Sequence, residues 1–83
     1  MKKYLVDLYL PAAGKHYDVY LPAGKRIQEV IRLLISLMES LSAGSYQATP
    51  DAMLLDAESG KQFPREATVY DVGIRNASRL ILI

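Results

Sequence analysis

Few side chains in this sequence have the chemistry of an active site. His16 is the only histidine and there is no cysteine, so neither a cysteine nucleophile nor a thiolate metal site is available. A lone imidazole near Asp18 makes neither a metal site nor a catalytic triad. Asp7 and Asp18 share the outward face of a predicted hairpin, but acid-base catalysis by paired carboxylates requires an enclosed pocket that shifts a pKa. We interpret all three as solvated surface residues.

Phosphate and nucleic-acid sites are also disfavoured. The five glycines are dispersed at turns, so no loop that cradles phosphate is predicted. Ten basic against nine acidic residues give a net charge of +1 and no basic stripe. Tyr9 and Tyr20 lie on the solvent side of the hairpin, where cross-strand aromatic packing explains them better than RNA stacking. We therefore predict that the chain is not an enzyme, needs no cofactor or metal and binds no nucleic acid.

The composition predicts one small folded domain, residues 1–83. Half of the residues, 51%, are hydrophobic, which is typical of a chain that buries a core. The absence of cysteine favours a reducing compartment, and we expect a cytoplasmic location. Asp7 interrupts the first apolar stretch, so we read no signal peptide there. Polar residues interrupt the longest helical stretch, which falls short of the about 20 apolar residues of a membrane span, so no membrane insertion is expected.

The first half of the chain predicts a hairpin followed by a long helix. Alternation of apolar and polar residues predicts a strand over Lys3–Leu10, a turn at residues 11–14 and a second strand around Tyr17–Leu21. Helical spacing then predicts a core-facing stripe made of Ile27, Val30, Ile31, Leu34, Leu37, Met38 and Leu41.

The ends of this helix are predicted from its flanking residues. Lys25 and Arg26 stand where Ser, Thr or Asp would bind the free amides, so the start is poorly capped. Gly44 is a good stop signal. Leu33 lies off the stripe, and we expect it to be an exposed leucine.

The second half predicts shorter elements. A polar connector covers Ala43 to Asp51, residues 53–55 form a short strand, and residues 61–63 return as its brief partner. Thr68 can cap one helical turn that ends near Gly73. Residues 80–83 are apolar without alternation, as in a central strand. This order suits a mixed sheet with one helix across one face, the helix forming a right-handed crossover between parallel strands.

The order of elements resembles the β-grasp of ubiquitin, and several local motifs support the resemblance. The matching segments are Leu54-Leu55, Gly60-Lys61-Gln62-Phe63, Thr68-Val69-Tyr70-Asp71 and Ile74. The resemblance covers nearly the whole chain. It implies an α+β ubiquitin-like β-grasp with a mixed four- to five-stranded sheet, one main helix packed on one face and a short helical turn before the last strand.

Within ubiquitin-like proteins, the segment Tyr70-Asp71-Val72-Gly73-Ile74-Arg75-Asn76, followed by Arg79-Leu80, looks most like the YukD/EsaB group. Its members are small cytoplasmic accessory proteins of the type VII (ESAT-6/WXG100) secretion systems of Gram-positive bacteria. The resemblance implies protein partners from a secretion apparatus. Where the group usually has Asn-Gly-Asp before the last strand, this chain has Asn76-Ala77-Ser78.

The end of the sequence bears on covalent tagging. β-grasp carriers use a flexible tail ending in Gly-Gly, which lets the terminal carboxylate enter an activating enzyme, whereas this sequence ends at Ile83. We therefore expect neither conjugation nor sulfur transfer. Lys61 falls where ubiquitin carries a chain-linking lysine, but without the tail we do not transfer that role to Lys61.

The last strand predicts a docking surface. Since one helix covers one side of the sheet, inward-pointing Leu80 and Leu82 leave their neighbours pointing towards water. Outward residues of the flanking strands would complete a contiguous apolar patch, on the face that ubiquitin uses for non-covalent recognition. The alternative is that the connector at residues 43–51 or a homodimer neighbour covers this face. The predicted partner-binding residues are Leu5, Leu55, Ile81 and Ile83.

Two further interpretations stay open. The chain resembles ubiquitin-like domains attached to a membrane transporter subunit in actinobacterial relatives of the same machinery. It also resembles TGS-type RNA- or nucleotide-binding modules in Leu21-Pro22-Ala23-Gly24 before an amphipathic helix. The near-neutral charge and the turn at Tyr70 to Ile74 count against this second interpretation.

Overall fold

A computed structural model describes residues 2–41 and 51–83 and shows four strands and one helix in them. The predicted helix stop at Gly44 and residues 43–50 of the predicted connector lie outside these described residues. None of the helical structure in the described part has the length and hydrophobicity of a membrane span. The elements are β1 (Lys3–Leu10), β2 (Lys15–Pro22), α1 (Ile27–Leu41), β3 (Leu54–Asp56) and β4 (Arg79–Leu82).

The sheet is mixed and has the strand order β2-β1-β4-β3. β1 pairs antiparallel with β2 and parallel with β4, and β3 pairs antiparallel with β4. β4 therefore has a neighbour on both sides, as its continuous apolar sequence predicts. α1 lies in the long connection that joins the β1–β2 hairpin to the rest of the sheet. The expected α+β arrangement is confirmed.

Two short elements differ in detail from the prediction. The predicted strand at residues 61–63 is a single bridge between Leu55 and Gln62, because Pro64 follows at once and has no amide to donate. The predicted helical turn is a hydrogen-bonded turn in which the Val72 amide donates to the carbonyl of Thr68 at 3.2 Å. The Thr68 hydroxyl accepts the amide of Asp71 at 3.1 Å, as expected of a cap.

The core lies between α1 and one face of the sheet. Alternate residues of β1 point into it, and each is at most 2% exposed: Tyr4, Val6, Leu8 and Leu10. The helix contributes Ile27, Val30, Ile31, Leu34 and Met38. Leu37 and Leu41 were expected in the core but are 40% and 54% exposed, beside Leu33 at 55%. The apolar stripe of α1 is wider than the contact that a helix makes with a sheet, so its flank remains in solvent.

The start of α1 is capped by a segment distant in sequence. The amides of Ile27 and Gln28 donate to the carbonyls of Ala67 and Arg65 at 2.8 and 2.9 Å. Glu29 lies in the first turn, where negative charge is favourable. The expectation of a poorly capped start was therefore wrong for the folded chain, because distant carbonyl groups accept the amides of Ile27 and Gln28, and the Glu29 carboxylate accepts the amide of Arg26 at 3.4 Å.

The segment that resembles the YukD/EsaB group is held by its own side chains. The guanidinium of Arg75 lies 4.1 Å from the ring centroid of Tyr70 and donates to the Tyr70 carbonyl at 3.0 Å. The side-chain oxygen of Asn76 accepts the amide of Leu5 at 2.9 Å, and the amide of Ala77 donates to the carbonyl of Leu5 at 2.8 Å. These contacts attach the segment to β1 immediately before β4 begins.

Ala77 adopts a backbone conformation that favours glycine. Its φ is 70°, in the left-handed region where a Cβ is close to the following carbonyl oxygen. This is the position where the YukD/EsaB group usually has glycine. The alanine therefore stores backbone strain immediately before β4.

We expect Ala77→Gly to stabilise the fold. Relief of the strain exceeds the added entropy of the unfolded chain, and the free energy of unfolding should rise by about 0.5–1 kcal/mol. Urea denaturation followed by circular dichroism measures this change. Ala12→Gly is the matched control, because Ala12 is exposed in the hairpin turn and does not share the positive φ. Ala12→Gly should lose stability, and an equal loss in Ala77→Gly would contradict the strain.

The turn after β3 is held by hydrogen bonds to the Asp56 carboxylate. The hydroxyl of Ser59 donates to one carboxylate oxygen at 2.9 Å, and the amide of Glu58 donates to the other at 3.3 Å. The Ser59 hydrogen bond is the largest cause that lowers the pKa of Asp56 from its ordinary value of 3.8, followed by the Glu58 amide. The ionised carboxylate is therefore favoured in the folded chain.

This shift predicts a pH-dependent contribution to stability. A lowered folded-state pKa stabilises the fold above the unfolded-state pKa, and the contribution is lost as pH falls through the folded-state pKa. In Ser59→Ala, the pKa of Asp56 should rise towards 3.8, as followed by NMR titration of the carboxyl carbon. The stability difference between wild type and Ser59→Ala should shrink as pH falls below about 4. Ser36→Ala, on the exposed side of α1, should leave the pKa of Asp56 unchanged; an unchanged pKa in Ser59→Ala would refute the assignment.

Candidate functional site

The face of the sheet turned away from α1 carries the residues predicted to bind a partner. Side chains alternate between the two faces along each strand, so these positions are the neighbours of the buried ones. Strand pairing arranges the open-face side chains of the four strands in four rows across the sheet. The rows are Pro22 and Lys3; then Tyr20 and Leu5; then Asp18, Asp7 and Arg79; then His16, Tyr9, Ile81 and Leu55.

Three of the four predicted residues lie together at one end of this open face. Ile81 and Leu55 are directly paired across β4 and β3, and both are partly buried. Ile83 is 44% exposed and exchanges two backbone hydrogen bonds with Met53, at 2.7 and 3.0 Å. We call Met53, Leu55, Ile81 and Ile83 the β3–β4 patch. Met53 was missed in the sequence, although it lies two residues before Leu55 and so has the same parity.

Leu5, the fourth predicted residue, lies at the other end of the open face. The parallel register between β1 and β4 places Tyr9, not Leu5, beside Ile81. The charged row that contains Asp7 separates Leu5 from Ile81. The open face therefore carries two apolar regions divided by charge, where a single contiguous patch was expected, because the sequence does not show the register.

The aromatic residues of the open face also pair differently from the expectation. Tyr9 and Tyr20 are two rows apart and do not pack on each other. Tyr9 packs against His16, with ring centroids 4.6 Å apart. Tyr20 is paired with Leu5 across the hairpin and is 66% exposed.

The charged row is only partly neutralised. Nδ1 of His16 lies 2.9 and 3.2 Å from the two carboxylate oxygens of Asp7, so this histidine contacts Asp7 and not Asp18. Arg79 reaches away from the row and pairs with Glu58 at 3.2 Å. In the described part of the chain, no basic nitrogen lies within 4.0 Å of the Asp18 carboxylate. Asp18 therefore leaves negative charge on the open face.

A groove occupies the β1–β2 end of the open face. Leu5 and Tyr20 form its floor, Lys3 lies at one end, and Asp7, Asp18 and Arg79 lie at the other. The groove is open to solvent and has a volume of about 760 Å³. We call it the β1–β2 groove.

The polar pair on the open face is exposed to solvent. The His16 and Asp7 side chains are 64% and 35% exposed, so their hydrogen bond is in solvent and lacks the enclosure of a catalytic pair. Residues 2–41 and 51–83 contain no group of three or more His, Asp or Glu side chains that could hold a metal ion. The open face offers apolar side chains bordered by charges, as protein contact surfaces do.

The fold is similar to that of solved ubiquitin-like domains. Against the EccD5 ubiquitin-like domain from Mycobacterium xenopi the TM-score is 0.75 at 16% identity, covering 100% of this chain and 94% of that chain. Against the ubiquitin-like domain of the Mycobacterium tuberculosis type VII secretion system protein EccD1 it is 0.69 at 16% identity, covering 100% and 99%. A chain of the MycP5-free ESX-5 inner membrane complex matches with a TM-score of 0.73 at 13% identity, covering 100% of this chain and 21% of that one.

The same fold also occurs outside secretion systems. A chain of a toluene 4-monooxygenase complex matches with a TM-score of 0.73 at 12% identity, covering 98% of this chain and 96% of that one. No protein-family model matches the chain, and no curated protein matches its sequence. At these identities the likeness shows the fold alone. The chain has the ubiquitin-like β-grasp fold, with structural neighbours among the EccD ubiquitin-like domains of type VII secretion.

Proposed function

We propose that the chain is a non-enzymatic docking protein that binds a protein component of a type VII secretion apparatus through the open face of its sheet. The β3–β4 patch is the observation that carries this proposal. It places Ile83, 44% exposed, beside the paired Ile81 and Leu55. Contiguous apolar side chains on the surface of a small folded domain are typical of a protein contact site.

The sheet preorganises the β3–β4 patch for binding. Backbone hydrogen bonds fix β4 between β1 and β3, and Ile81 and Leu55 are already partly buried in the free chain. Little conformational entropy is then lost when a partner covers them. Docking needs only non-covalent burial of the patch, with no reaction.

Two independent likenesses support a role for this chain in a secretion apparatus. The EccD5 and EccD1 domains and the ESX-5 inner membrane complex share the fold, and the motif from Tyr70 to Asn76 resembles the YukD/EsaB group. We propose that the chain acts in the cytoplasm as an accessory protein of such a system. The carboxylates of Asp7 and Asp18 on the open face would repel the phosphates of a nucleic acid. We therefore favour a protein partner over the RNA that a TGS-type module binds.

Charged substitutions in the patch should abolish docking. The probes are the purified FtsK/SpoIIIE-type ATPase and WXG100 protein of the secretion system encoded nearest to this chain. In isothermal titration calorimetry, Ile81→Asp and Leu55→Asp should each weaken binding by about 30-fold or more, the effect of losing a contact worth about 2 kcal/mol at the centre of an interface. The helical circular-dichroism signal should remain, because both side chains lie away from α1.

Leu33→Asp is the matched control for these substitutions. Leu33 is also an exposed aliphatic residue, at 55%, but lies on α1 away from the open face. It should bind like the wild type. Binding that survives both patch substitutions would contradict docking through the β3–β4 patch. An equal loss of binding in Leu33→Asp would contradict it as well. If the wild-type chain binds neither probe, the proposed partner is wrong.

A further inference from the structure

The β1–β2 groove lies outside the β3–β4 patch and has an apolar floor bordered by charged residues. On its floor, Tyr20 is 66% exposed and Leu5 is 39% exposed. The floor is rigid, because Asn76 and Ala77 hold the backbone of Leu5 by hydrogen bonds of 2.9 and 2.8 Å. A partner segment would therefore meet an ordered surface.

The acidic end of the groove carries charge that the fold does not neutralise. Asp7 and Asp18 are directly opposed across the antiparallel pair, an arrangement that is unfavourable for like charges. His16 contacts Asp7, whereas Arg79 is directed to Glu58. Asp18 thus keeps a carboxylate without a cation within 4.0 Å in the described residues.

The two ends of the groove differ in charge: Lys3 lies at one end, and at the other the carboxylates of Asp7 and Asp18 outnumber Arg79, whose guanidinium pairs with Glu58. Lys3 and Asp7 lie on either side of Leu5 along β1, and each is about 7 Å from it at the ordinary rise of a strand. A cationic group is repelled at the Lys3 end and attracted at the Asp7 and Asp18 end. This polarity gives a bound segment one preferred direction along the groove.

We infer that the β1–β2 groove binds a protein segment in which an arginine or lysine adjoins an apolar side chain. The apolar side chain packs on Leu5 and Tyr20, and the cationic group lies between the carboxylates of Asp18 and Asp7. The exposed ring of Tyr20 adds a cation–π contact to the same group, and the aliphatic stem of the cation covers the apolar floor. This inference rests on the proposed function, because it names the chemistry that the docking partner presents beside the patch.

The test uses the full chain labelled with ¹⁵N and two matched probes, acetyl-Leu-Arg-amide and acetyl-Leu-Glu-amide. The arginine probe should shift the amide resonances of Leu5, Asp18 and Tyr20 in a saturable manner, whereas the glutamate probe should not. Asp18→Asn should weaken binding of the arginine probe by about two- to fivefold, the range of an exposed ion pair. Added salt should weaken it as well. Asp71→Asn, an exposed aspartate in the turn before β4, is the control and should bind like the wild type.

Several outcomes would overturn the inference. Equal shifts with both probes, no saturable shift, or shifts confined to Met53, Leu55 and Ile83 would each show that the groove does not select a cation. Sedimentation of the free chain as a dimer that Asp18→Asn dissociates would make a second copy the occupant instead.

The variant Ile81→Asp separates this inference from the proposed function. It should bind the arginine probe like the wild type, because Ile81 lies beyond the charged row. Loss of docking with intact probe binding in this variant is the result that the two proposals predict together. In the wild-type chain, docking of the secretion components without saturable binding of the arginine probe would overturn the inference about the groove alone. Binding of the arginine probe by the wild-type chain without docking of either component would overturn the proposed function and leave the cation preference of the groove standing.

Discussion

The fifteen-residue helix α1 covers only one of the two faces of the four-stranded sheet. The distribution of buried and exposed side chains along the strands follows from that constraint. On the shielded face, alternate residues of β1 and β4 are buried almost completely. On the other face the same strands must meet water. Most open-face positions of β1 and β2 are accordingly polar or aromatic, but β3 and β4 place Leu55 and Ile81 there, and Ile83 directly follows β4.

The segment before β4 determines how these open-face residues are arranged. Arg75 binds back to Tyr70, and Asn76 and Ala77 bind the backbone of Leu5. These contacts start β4 in parallel register beside β1, so that Ile81 lies next to Tyr9. The residues that resemble the YukD/EsaB group thus position β4 beside β1. The strained backbone at Ala77 is part of the same connection.

The division of the open face by charge has consequences for partner selection. Apolar burial is non-directional and does not by itself choose between partners. The row formed by Asp18, Asp7 and Arg79 adds direction, because a partner that covers both apolar regions must also cross it. A partner with negative charge at this row would leave the Asp18 carboxylate desolvated and unpaired, which is costly.

Periodicity alone predicted the elements that bury a regular face. The bounds of β1, the start of α1 and the central place of β4 followed from alternation, helical spacing and an uninterrupted apolar run. Features that depend on distant residues were not predictable in this way. They include the carbonyls of Arg65 and Ala67 that cap α1, the exposure of Leu37 and Leu41 on its flank, and the register that separates Leu5 from the other predicted residues.

The exposure of the open face in the free chain is the most direct test of this account. Methyl NMR with a soluble paramagnetic probe measures it side chain by side chain. The methyl groups of Ile83 and Leu5 should relax nearly as fast as those of Leu33, while those of Leu8 and Leu80 should be protected, following their exposures of 44%, 39% and 55% against 0% and 1%. Protection of Ile83 to the level of Leu80 would show that the open face is covered and would contradict docking through it.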